Sequence, residues 1–175
     1  MNKNILVFSI VLTAVALLIT PVLANSAKRV LVDVDYGTTP SVPVSYWLKG
    51  NVQHGSLTIP YTGFSIIGDG IDLQDGTAIQ TSNYIVNVKG IPTGLRTGKG
   101  VLHNKLEITF SGGKFVGTNK MHGIFKVFPN QKLGLFTGSV HGVLHGTGDY
   151  LGWTLVLSGE ANEGTYEHEE YMFRP

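Results

Sequence analysis

Apolar residues in this chain recur at every second position, and that rhythm restricts it to extended structure. In Val30-Leu31-Val32-Asp33-Val34-Asp35-Tyr36, one face takes Val30, Val32, Val34 and Tyr36, and the other takes Leu31, Asp33 and Asp35. Successive side chains of a strand point to opposite faces, so such a segment buries one side and wets the other. The run from Val101 to Phe110 alternates more cleanly. Leu102, Asn104, Leu106, Ile108 and Phe110 share one face, and His103, Lys105, Glu107 and Thr109 the other. Leu151, Trp153, Leu155 and Leu157 continue the pattern after Asp149-Tyr150. No long period of 3.6 residues follows residue 24, which leaves helices no place in the core.

Candidate strands fall near 29–36, 43–49, 52–59, 63–67, 77–89, 101–110, 113–117, 121–128, 133–147, 149–158 and 165–173. Turns such as Ser111-Gly112-Gly113 and Gly146-Thr147-Gly148-Asp149 separate them. Short strands at this spacing predict an all-β domain, a barrel or a sandwich. The 23 glycines all follow residue 24. In 133–148 the even positions read Gly134, Phe136, Gly138, Val140, Gly142, Leu144, Gly146 and Gly148, opposite Thr137, Ser139, His141, His145 and Thr147. Glycine along an inward face lets a sheet coil sharply, so the expectation is a single antiparallel β-barrel, closed or nearly closed, of about eight strands. A β-sandwich is the alternative.

The first residues set the compartment. Lys3 precedes an uncharged run from Ile5 to Ala24 that ends in the small-x-small pattern Val22-Leu23-Ala24. This predicts a signal peptide over 1–24 and one barrel domain over 25–175, secreted or held at the cell surface. An uncleaved anchor is the rival, because a run of about 20 apolar residues can span a bilayer. The signal segment is then the chain's one expected membrane contact. The absence of cysteine excludes disulfides, thiolate metal sites and a cysteine nucleophile.

Removing 1–24 takes away Lys3 and no acid, which leaves basic and acidic residues equal in number. The charge is unevenly spread. Lys89, Arg96, Lys99, Lys105, Lys114, Lys120, Lys126 and Lys132 face only Glu107 in the middle, whereas the C-terminal part carries Glu160, Glu163, Glu167, Glu169 and Glu170. An anionic partner such as nucleic acid or polysaccharide is one reading of a basic middle. The plainer one is solvated strand faces that pair with the acidic end. Overall neutrality argues against nucleic acid as a partner.

The segment Gly146-Thr147-Gly148-Asp149-Tyr150-Leu151-Gly152, with Trp153 to Gly159 after it, resembles the glycine-rich turn and strand of allene-oxide-cyclase-like and dirigent-like small β-barrels. The resemblance implies an antiparallel barrel with an apolar lumen, often homo-oligomeric. It is confined to 146–159 and carries over no catalytic residue.

Several residue sets invite a chemical reading. His141 and His145 have the spacing of zinc ligands on a helix, but four residues of strand span about 13 Å, too far for one metal. They fit an exposed face, and would join a lumen site only if the assigned faces were reversed. Tyr150 and Trp153, with the aromatic residues spread over most strands, are candidate contacts for a small apolar or sugar ligand, against plain core packing. His168 lies among Glu167, Glu169 and Glu170, which reads as a solvated terminus. In 68–77, Asp69, Asp72 and Asp75 stand among glycines and are candidate ligands for Ca2+. Asp-Gly turn chemistry is the plainer reading of them. Gly94 to Gly100 has the glycines of a phosphate loop at the wrong spacing and reads as a flexible hairpin loop.

The function expected from these residues is a secreted, non-enzymatic barrel that binds a small ligand or builds an extracellular assembly. A cyclase or isomerase using the barrel cavity is the second reading, and it requires an ionisable group facing inward. A small outer-membrane barrel is the third.

Overall fold

The computed structural model describes residues 27–38, 42–89, 94–128, 133–162 and 165–175; the proposed signal segment lies outside them. The strands are β1 (Lys28–Thr38), β2 (Val42–Lys49), β3 (Val52–Gly68), β4 (Ile71–Lys89), β5 (Arg96–Phe110), β6 (Gly113–Val127), β7 (Leu133–Gly148), β8 (Thr154–Asn162) and β9 (Thr165–Arg174). Each pairs antiparallel with the next from β2 through β9, β9 pairs with β1, and β1 returns to β3. Eight strands therefore close a barrel, and β2 lies outside the ring. Closure satisfies backbone groups that an open sheet leaves at its edges.

The alternation read from 30–36 and 101–110 matches what is buried. Val30, Val32 and Val34 face the core, as do Leu102, Asn104, Leu106, Ile108 and Phe110. The interior divides into two apolar clusters. One contains Val32, Ile66, Ile108, Phe110, Phe115, Leu144, Tyr150, Leu155 and Met172. The other contains Leu57, Tyr84, Val86, Leu102, Phe125 and Val127. Buried Gln80, Ser82, Asn104 and Asn119 lie between the clusters along β4, β5 and β6, forming a polar belt.

Four expectations need correction. Residues 149–152 form a turn rather than the start of a strand, and Leu151 is 77% exposed. The candidate segments 52–59 and 63–67 merge into β3, and 113–117 with 121–128 into β6. Nor is 94–100 a flexible loop: β5 begins at Arg96, whose side chain is buried. The even-position face of 133–148 does not run unbroken, because Ile124 stands opposite Thr137 while Phe125 stands opposite Leu135. That bulge takes up Phe136 and reverses the phase before it, so Leu133 packs on the second cluster. The Phe136 side chain and the burial of Gly134 lie outside the described residues.

The basic strands β5 and β6 are not ladder neighbours of the acidic strand β9. In the ring β7 and β8 separate β6 from β9. Lys114 pairs instead with Glu107 of the adjacent β5 at 2.6 Å.

Candidate functional site

β1 serves two ladders. Its pairing with β9 runs from Lys28↔Arg174 to Val32↔Glu170, and its pairing with β3 runs from Val32↔Gly68 to Thr38↔Tyr61. Val32 belongs to both. Beyond it β1 follows β3 and parts from β9, so the wall forks. At this fork lies a cavity of about 60 Å3. That volume exceeds what one water needs and suits a small group rather than a large ligand.

Its walls combine aromatic, aliphatic and polar groups. Tyr36 stacks on Phe64 at 5.4 Å between centroids and meets the edge of Tyr61 at 5.1 Å. With Leu106, Met121, Val140 and Leu157 these rings form the apolar lining. The polar side chains among the lining are Gln80 on β4, Asn119 on β6 and Glu170 on β9. Tyr61 Oη donates to Gln80 Oε1 at 3.2 Å, and Gln80 Nε2 donates to Ser82 Oγ at 3.1 Å, which orients the amide. Asn104 Nδ2 donates to Asn119 Oδ1. The Asn104 Oδ1 acceptor is buried with no hydrogen-bond partner among the described residues, an arrangement that costs about 1–3 kcal/mol.

Glu170 is the chemically distinctive group. It stands opposite Leu157 on β8 and Val32 on β1, with Met172 two residues on and also inward. Burial, then the negative charge of Asp33, pushes its carboxyl up to about 7. Desolvation disfavours the charged form, and a like charge adds to that. Tyr36 is raised as well, chiefly by burial and then by the charges of Glu170 and Asp35.

A second buried polar group lies in the other cluster. Arg96 Nη2 donates to Gln53 Oε1 at 2.9 Å, and Gln53 Nε2 donates to Tyr84 Oη at 3.1 Å. Burial is the main reason the Tyr84 hydroxyl is raised. This group lines no part of the fork cavity.

The four residues expected as ligand contacts do not converge. His141 and His145 are on the outer face of β7, where the Nδ1 of His145 lies 3.3 Å from Thr154 Oγ1. Tyr150 and Trp153 form an aromatic stack at the end of the barrel. The Tyr150 ring lies on Phe115 at 5.1 Å, and the Trp153 ring meets Tyr150 at 5.7 Å. None of the four lines the fork cavity.

The acidic segment is mostly strand. Only Asp69 and Gly70 form the β3–β4 turn, and Gly70 has a φ of +66°, which suits glycine. Asp69 pairs with Lys28 at 2.8 Å, and that contact holds its carboxyl below the usual carboxylate range. Asp72 accepts from Gln74 Nε2 at 2.7 Å. Asp75, with a φ of +57°, sits where the β3–β4 register shifts. Among the described residues no three His, Asp or Glu side chains group to hold a metal ion.

The sequence reading missed Glu170, Gln80 and Asn119. For Gln80 and Asn119 the signal was present: each keeps the inward phase of its strand, between apolar residues of the two clusters. Comparison of the chain with protein families, curated proteins and solved structures finds no match.

Proposed function

We infer that the barrel binds a small, mainly apolar molecule carrying a hydroxyl or amino donor, held in the cavity at the β1–β9 fork. The observation that carries this reading is a cavity lined by the rings of Tyr36, Tyr61 and Phe64 together with three buried polar side chains, Gln80, Asn119 and the Glu170 carboxyl. Apolar pockets with a few placed polar groups are the usual form of small-molecule sites. Carboxyl and amide oxygens accept hydrogen bonds from a donor, and the rings of Tyr36, Tyr61 and Phe64 cover the rest. At 60 Å3 the cavity takes a compact group as it stands. A longer ligand would extend outward past Tyr36, which is 38% exposed.

Native mass spectrometry of the purified protein, offered a mixture of small alcohols, phenols and amines, tests this. A retained adduct that Leu157→Phe abolishes without lowering the melting temperature is the expected result. Equal retention by that variant would place the binding elsewhere.

Glu170 favours a second reading, the enzymatic one. A carboxyl titrating near neutrality is suited to proton transfer, and it supplies the inward ionisable group that a cyclase or isomerase requires. Deuterium from solvent entering the bound molecule with the native protein, but not with Glu170→Gln, would select this reading over simple binding. The outer face weighs against a membrane barrel: exposed Lys105 and Lys120 stand near the middle of β5 and β6, where a lipid-facing band would be apolar.

A further inference from the structure

The outer face of β4 to β7 carries charge that the lumen does not use. In register, Asn83 stands opposite His103, His103 opposite Lys120, and Lys120 opposite His141. A second row runs Thr81, Lys105, Thr118, Val143. All eight residues are exposed, and together they line a concave groove of about 630 Å3. Neighbouring strands lie about 4.8 Å apart, so the groove is a ladder of cations, imidazoles, amide and hydroxyls running across the strands. Among the described residues neither Lys105 nor Lys120 is in an ion pair. Glu107, on the same face of β5, is taken by Lys114.

We propose that this groove binds an acidic polysaccharide. The Lys105 and Lys120 ammonium groups meet its carboxylates or sulfates, and Thr81, Asn83 and Thr118 meet its hydroxyls. The step between strands is close to the rise of one sugar along an extended glycan, which lets successive residues be read by successive strands. The composition of the groove separates this partner from other polyanions. It contains no Phe, Tyr or Trp on which bases would stack, as single-stranded nucleic acid sites do. The groove and the fork cavity lie on opposite faces of the sheet, so the two sites fail or succeed independently.

Fluorescence anisotropy of the purified protein with labelled polygalacturonate, dextran sulfate, neutral dextran and single-stranded DNA tests the proposal. Polygalacturonate or dextran sulfate is expected to bind, more weakly as salt rises, and neutral dextran is not. Lys105→Glu with Lys120→Glu should weaken binding by about tenfold or more. Lys120→Ala, a milder change at an exposed side chain, should weaken it severalfold with an unchanged melting temperature. Lys49→Glu on β2, outside the groove, should leave it unaltered. Failure of both acidic glycans, equal binding of neutral dextran, tighter binding of DNA, or an equal loss with Lys49→Glu would each overturn it.

Discussion

Gly142 faces the lumen on β7, and a Cβ there would collide with the Cβ of Asn119, a wall residue of the fork cavity. His141, one residue earlier, is exposed on the opposite face. Gly142→Val is therefore expected to cost about 1–3 kcal/mol or more through overpacking. His141→Val should change stability by less than about 0.5 kcal/mol. Urea titration of both variants measures the difference, and equal losses would mean that the two faces are exchanged. This contrast was legible in the alternation of 133–148. Glu170 was not. In 169–173 both phases carry an acid and an apolar residue: Glu170 goes with Met172, and Glu169 with Tyr171 and Phe173. Only pairing with Leu155 and Leu157 on β8, both turned toward the core, decides which acid enters the lumen.

The β7–β8 connection shows how a periodic pattern can run past the end of its strand. Leu151 keeps the phase of Trp153, Leu155 and Leu157, yet 149–152 turns back on itself. Leu151 N donates to Gly148 O at 3.1 Å and Trp153 N to Tyr150 O at 2.9 Å, with Gly152 at a φ of +86°. Turn hydrogen bonds and a left-handed glycine prevail over the apolar rhythm there. Tyr150 consequently drops into the barrel end between Phe110 and Phe115, while Leu151 points to solvent. Tyr150→Ala should cost about 3–5 kcal/mol as a lost aromatic plug. Leu151→Ala should be nearly silent, within about 0.5 kcal/mol. Thermal melts of the pair decide this, and a large loss at Leu151 would restore the strand. The bulge that takes up Phe136 escaped the sequence for a related reason: one extra residue reverses the phase without leaving a compositional mark.

Closure belongs to the whole molecule and has no local signature. Strand content and a barrel were readable from alternation and glycine placement, but β2 standing outside the ring and β1 shared between β3 and β9 were not. These depend on which distant segments pair. Closure is also what brings Val32 and Asp33 of β1 against β9 and encloses Glu170, so the stability of the whole barrel should carry that carboxyl's titration. The group titrates at about 7 in the fold against an ordinary value of 4.5. Between those values the folded barrel keeps a proton that the unfolded chain has released. Unfolding then releases a proton, and stability falls as pH rises through the window. The contribution is fully present below pH 4.5 and lost above about 7. Partial solvation of the site brings the expected change to about 2 kcal/mol across the window. Urea titrations at about pH 5 and about pH 8 measure it. Glu170→Gln, neutral and of the same shape, should flatten this slope and leave the barrel more stable than the native protein at the higher pH. An unchanged slope in the variant would assign the titration to another group and leave Glu170 a charged wall residue, which would remove the basis for proton transfer in the lumen.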